Sequence, residues 1–287
     1  MEHAFAELPL ATFSTLSSLG AGAFVVLALA FLSGSLGDSL AGSPEKLKKI
    51  DRLAIIPILL VGAGFIAAMF HLATPQNALN ALNGIGRSPL TNEVVVGLAF
   101  MVVALVYWVV ALIGKLGAGA RKILVSVAAV LAIAFALFIG IAYMIPTIPT
   151  WNTLFAPISI LGYCLLGGGL FGLLVLQAAD ALKDISTGPF KAFTISLSLI
   201  GAAAAIIGIG GQYLVASGIE AASHQVAAAW PWLIGSIAGL VLALGLAIIP
   251  LIRKPSLGII SLGCLVVLCS VFVGRLVFYA LYITVGV

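Results

Sequence analysis

Few side chains in this sequence can do chemistry, and several of them fall close together. An apolar run ends in Met69-Phe70-His71-Leu72, and Thr74-Pro75 follows to stop the helix. The next loop carries Arg87, and the next apolar run opens with Thr91-Asn92-Glu93. An imidazole exchanges protons near neutral pH, a carboxylate can pass a proton on to water, and a guanidinium holds an anionic or carbonyl oxygen. Oxidising a hydroquinone requires the removal of two protons and two electrons, so this set reads as a quinol site. A plainer reading makes His71 a water-facing interfacial side chain and Glu93 a partner of the helix dipole, at a helix opening near Thr91. Arg275, in Gly274-Arg275-Leu276-Val277-Phe278-Tyr279, lies inside the last apolar run. A buried arginine needs an anionic or carbonyl partner. Glu93 is the candidate partner, Tyr279 one turn on can add a phenolic hydrogen bond, and the alternative is snorkelling to the headgroups.

The elements that must position these groups are membrane helices. The chain has 287 residues, 63% of them hydrophobic and 8% charged, with mean hydropathy +1.28. A soluble domain of this length cannot bury so much apolar surface. Apolar runs long enough to span a bilayer cover about 9–33, 53–73, 91–114, 122–145, 154–178, 190–213, 229–251 and 256–282. They are unbroken rather than alternating, which excludes strands. The expected fold is an all-α integral membrane protein, a single polytopic membrane domain over 1–287 with eight transmembrane helices in two four-helix bundles. No basic n-region precedes the first run, so no cleavable signal peptide is expected and the first span is retained.

Of the 13 Lys and Arg residues, all but Arg87 and Arg275 fall in the loops after the first, third, fifth and seventh spans. The positive-inside rule places those loops in the cytoplasm and both termini outside, together with His71, Arg87 and Glu93. The net charge of +4 is thus a topology signal, calling for membrane lipid and no nucleic acid as surroundings. The only histidines are His3, His71 and His224, none of them mid-membrane, so no facing pair can ligate a transmembrane haem. Cys164, Cys264 and Cys269 lie inside spans without a CxxC motif. Neither haem, an iron–sulfur cluster nor another metal is therefore expected in this chain, and the cysteines read as packing residues.

Other features have structural readings. Ser43-Pro44-Glu45-Lys46-Leu47-Lys48-Lys49 reads as a linker, and Pro146 to Trp151 as a stiff connector with an interfacial tryptophan. Gly168-xxx-Gly172 and Gly235-xxx-Gly239 have the small-xxx-small spacing of closely packed helices; the Gly167-Gly168-Gly169 run could instead leave room for a lipid or quinone tail. The hydroxyls Thr12, Ser14, Thr15, Ser17 and Ser18 bond within the first span or to neighbours, or line a quinone or proton path.

Gly-Phe-Ile-Ala-Ala-Met-Phe-His-Leu at 64–72, Ala-Leu-Asn-Ala-Leu-Asn at 78–83, Leu-Thr-Asn-Glu-Val at 90–94, Pro149-Thr150-Trp151 and Gly-Arg-Leu-Val-Phe-Tyr at 274–279 together resemble the membrane anchor subunits of the dimethyl sulfoxide reductase family, DmsC. The resemblance covers nearly the whole sequence. It implies a subunit of the bacterial or archaeal cytoplasmic (inner) membrane that binds menaquinol and passes its electrons to an iron–sulfur subunit. That subunit feeds a molybdopterin catalytic subunit, so this protein alone does not perform the terminal reduction. The family's quinol-site histidine maps onto His71 and its glutamate onto Glu93; Arg275 matches the last-span motif, and Asn92, Arg87 and Tyr279 complete the expected quinol-binding set. Members often carry a glycine two positions after the histidine and a basic residue a few positions later, where this sequence has Ala73 and Asn77. The rival readings are a secondary transporter, against which stands the lack of charge mid-span, and a passive membrane tether without a quinol site.

Overall fold

The computed structural model describes residues 2–33, 44–71, 83–185 and 188–284. Within them lie eight helices long and apolar enough to cross a membrane. A short helix α1 (Glu2–Ala6) precedes α2 (Leu8–Leu32), the first span. The second span is made of α3 (Pro44–Leu53) and α4 (Ile55–Met69), separated at Ala54. Pro57, in the first turn of α4, has no N–H to give to the carbonyl four residues back, which accounts for the break. The remaining spans are α5 (Pro89–Leu112), α6 (Ala118–Ala142), α7 (Phe155–Ala178), α9 (Gly188–Ser217), α10 (Ser223–Ile252) and α11 (Leu257–Ala280), with the single turn α8 (Leu182–Ile185) between α7 and α9.

The structure corrects two expectations. The basic stretch read as a linker is helical from Pro44. Leu47, Ile50 and Ala54 recur at helical spacing and turn inward, with Ile50 and Ala54 fully buried, while Lys48, Lys49 and Arg52 lie on the outer side. The helix opening expected at Thr91 begins earlier, because Ser88 accepts the Thr91 N–H at 3.3 Å and Pro89 occupies the first turn.

Helices α2 and α7 form the centre. Both are buried around their whole circumference, and the others pack about them: α4, α6 and α11 against α2, and α6, α9 and α11 against α7. The glycines explain how the two central helices meet. A Cβ at Gly168 would strike the backbone of Gly22, one at Gly22 would strike the Cys164 carbonyl, and one at Gly172 would crowd Val26. Gly167 faces Leu19. The glycine run therefore serves helix contact.

The two ends of the molecule differ. At the end bearing the basic loops, Asp51 of α3 accepts from Tyr107 of α5 at 2.7 Å and from Arg121 of α6 at 2.8 and 3.3 Å. All three are buried, and together they tie three helices. Lys46 and Lys49 reach Asp184 and Asp180 nearby, in half-exposed and exposed pairs that add little. We expect Asp51→Ala, which leaves Arg121 buried without its counter-charge, to cost about 3 kcal/mol. A thermal melt of the detergent-purified protein should register this as a lowered midpoint, with Lys49→Ala close to wild type.

Candidate functional site

The opposite end is formed by the N-terminal ends of α2, α5, α7 and α10, the C-terminal ends of α4, α6, α9 and α11, and α1 lying against α11. Arg275, on the penultimate turn of α11, is 1% exposed and does not snorkel. Its Nε donates to Ser14 Oγ of α2 at 2.7 Å, and Nη2 donates to the Tyr279 hydroxyl at 3.1 Å. Ser14 in turn donates to the Leu10 carbonyl at 2.8 Å, which leaves its lone pairs for the guanidinium.

Aromatic faces supply the rest of the shell. The guanidinium carbon lies 4.1 Å from the centre of the Phe278 ring and 4.9 Å from those of Tyr143 and Tyr279. Cation–π attraction is strongest when the cation is desolvated, as here. Trp151 stacks on Phe278 at 5.0 Å and donates its indole N–H to the Phe278 carbonyl at 3.0 Å. The Tyr143 and Tyr279 hydroxyls bond to each other. Gly274 permits the close approach of Ser236 and the Tyr163 hydroxyl, each 2.8 Å from where a Cβ would stand.

One donor of Arg275 stays open. Nη1 is buried and meets no hydrogen-bond partner among the described residues. His3 Nε2, Thr15 Oγ1, Thr150 Oγ1 and Thr153 Oγ1, also toward this end, are in the same condition. Buried polar groups in native proteins almost always have partners, from protein or from ordered water.

Glu93 sits in the second turn of α5 and is 3% exposed. Arg275, Tyr143 and Tyr279 are near enough to act on it electrostatically. Among the described residues, however, no direct ion pair joins Glu93 to Arg275. The side chains bonded to Arg275 are Ser14 and Tyr279; opposite charge pointed to Glu93, and Ser14 was not expected as a partner.

His71 follows the C-terminal turn of α4, its N–H bonded to the Ala68 carbonyl. Its side chain is 41% exposed, and Nδ1 lies 3.3 Å from Glu7 Oε2. The carboxylate in contact with His71 is therefore Glu7, which the sequence motifs do not single out. It stands at the junction of α1 and α2, 17% exposed. The available signal is an acid at the entry of the first span, which the charge pattern puts at the same end as His71. Of the remaining candidates, Asn92 accepts the Gly86 N–H at 2.8 Å and clasps the turn before α5, where Gly86 has φ +78°. Arg87 is exposed on that turn. Ala73, Asn77 and most of the 78–83 motif lie outside the described residues.

Eight apolar helices closed at one end by a buried cation in an aromatic shell, with an imidazole and carboxylates at the same end, define a polytopic membrane protein with a polar site at one face. Residues 1–281 match the DMSO reductase anchor subunit (DmsC) family, and the protein belongs to it. The sequence is 31% identical to the YnfH chain of anaerobic dimethyl sulfoxide reductase of Escherichia coli (strain K12), over 100% of its own length and 98% of the relative's. It is 29% identical to the C subunit of anaerobic dimethyl sulfoxide reductase of the same organism and 28% identical to the C subunit of the Haemophilus influenzae enzyme, each over 98% of its own length and 96% of the relative's. The protein is thus a membrane anchor of a dimethyl sulfoxide reductase-like complex.

Arg275→Lys keeps the charge but cannot bond Ser14 and Tyr279 at once or lie flat on Phe278. We expect it to destabilise the protein by about 2 kcal/mol. A thermal melt should show the loss, and Trp151 fluorescence should change with it because the Phe278 stack loosens.

Proposed function

We propose that this protein is the quinol-oxidising subunit of its complex, taking electrons from menaquinol and handing them to an iron–sulfur subunit that serves a molybdopterin catalytic subunit. The observation that carries the reading is the open Nη1 of Arg275, a buried cationic donor at the same end of the molecule as the buried Glu93 carboxylate. A quinone oxygen is an acceptor of the kind that donor lacks, and a quinol hydroxyl is a donor of the kind the carboxylate takes. Family membership supports the reading, as the relatives belong to anaerobic reductases.

The balanced step is QH2 → Q + 2 H⁺ + 2 e⁻. His71 and Glu93 are the acceptors for the hydroxyl protons, His71 being the group with access to water. Arg275 holds the developing oxygen charge, with Tyr279 and Ser14 fixing its plane. Arg87, Asn92 and the turn they occupy frame the rim. Since the three histidines offer no facing pair for haem, the electrons leave by the face at which the quinol is oxidised, and the iron–sulfur partner docks there, over the turns at 83–88, 143–154 and 218–222. The charge pattern makes that the outer face of a bacterial cytoplasmic membrane, with both termini on it. Protons and electrons then exit on one side, and quinol oxidation moves no charge across the bilayer.

The test uses membranes holding the co-expressed complex and a reduced naphthoquinol. We expect His71→Ala and Glu93→Gln each to lower the quinol oxidation rate by about 100-fold or more in assembled complex. Undiminished oxidation in both would leave the protein a passive tether. Labelling of the partner by cross-linkers placed only in the basic loops would overturn the docking face.

A further inference from the structure

The carboxylate of Glu7 has no structural task in its own helix. Glu7 is the N-cap of α2, yet its side chain makes no capping hydrogen bond. Among the described residues its Oε2 is buried with no hydrogen-bond partner, and it stands at ion-pair distance, 3.3 Å, from His71 Nδ1. The two come from distant parts of the sequence, Glu7 from the junction of α1 and α2 and His71 from the end of α4, and the α2–α4 packing brings them together. An imidazole has two nitrogens with opposed duties. If Nδ1 carries its proton toward a carboxylate, Nε2 is left as the acceptor, and the ring is held in one orientation.

The geometry assigns Glu7 as the positioning residue of a carboxylate–imidazole pair: Glu7 fixes the Nδ1–H tautomer of His71, so that Nε2 takes the quinol hydroxyl proton. This rests on the quinol reading given above. In the step, the quinol O–H bond breaks and an Nε2–H bond forms. The second hydroxyl proton goes to Glu93, the electron pair of the quinol leaves for the iron–sulfur subunit, and Glu7 stabilises the imidazolium until its proton passes to water at the exposed ring edge. Glu7 touches no substrate. The pair also divides labour between the two acids at this end, with Glu7 serving the exposed imidazole and Glu93 buried within the bundle.

The test takes the co-expressed complex in four forms: wild type, Glu7→Gln, His71→Ala and the double variant, with recovery of the partner subunits in the membrane as the measure of assembly. We expect Glu7→Gln to lower kcat for naphthoquinol about 10-fold to 100-fold with KM unchanged, Glu7→Asp to recover part of it, and the double variant to fall no further than His71→Ala alone. Helix-dipole stabilisation by Glu7 would leave kcat at the wild-type value in assembled complex, and that result overturns the assignment, as does a double variant whose loss is the product of the two single ones. An assembled His71→Ala complex that oxidises quinol at the wild-type rate sinks the quinol reading itself. A second measurement does not depend on turnover. With only three histidines in the sequence, the ¹⁵N resonances of His71 are assigned by their loss in His71→Ala. We expect Nδ1 protonated in wild type and the proton redistributed toward Nε2 in Glu7→Gln. An Nε2–H tautomer in wild type overturns the proposal.

Discussion

The guanidinium of Arg275 is the constraint around which one end of this molecule is arranged. A charge withdrawn from water inside an apolar helix bundle must be met by hydrogen-bond acceptors, by aromatic faces or by counter-charge. The groups that meet it come from several elements: Ser14 from α2, Tyr143 from the residue capping α6, and Phe278 and Tyr279 from α11 itself. Trp151 braces the shell through the Phe278 carbonyl, which fixes the turn between α6 and α7. The helix ends therefore cannot be placed independently. Meeting the charge sets the positions of α2, α6 and α11 at that end, and with them the setting of Glu93 on α5.

The other end solves a similar problem by the opposite means. Asp51 and Arg121 form a direct pair with Tyr107 adding a third hydrogen bond to the carboxylate, so the charges cancel within the protein. At the Arg275 end they do not cancel at contact distance, and one nitrogen is left over. The same polar chemistry yields a closed rivet at one face and an open site at the other. What distinguishes them is whether a carboxylate is placed within ion-pair reach.

The eight spans could be read from hydrophobic run lengths to within a few residues at most ends, because bilayer thickness leaves one solution for an unbroken apolar run. His71, Glu93 and Arg275 stood out for the complementary reason, as ionisable groups are scarce in such a sequence. Three things escaped. The helix from Pro44 hid behind its lysines, since its apolar residues are only Leu47, Ile50 and Leu53. Ser14 was one hydroxyl among several in the first span, and opposite charge pointed to Glu93 as the arginine's partner instead. Glu7 had a ready local explanation as an acid at a helix start, and only the packing of α2 on α4 brings it to His71.

The burial of α2 on every side has a consequence for how the protein is built. The helix that ends as the hub is made before every other span among the described residues, and the glycine-lined face that fits it is on α7, which emerges only after three further spans. During synthesis α2 finds α4 and then α6 as partners, with Ser17 set against Gly64 of α4, while the side that will meet α7 has nothing of this protein to pack on. Assembly therefore finishes from the inside outward in space but from the first helix to a much later one in time. The hub is closed on its last side only when α7 arrives.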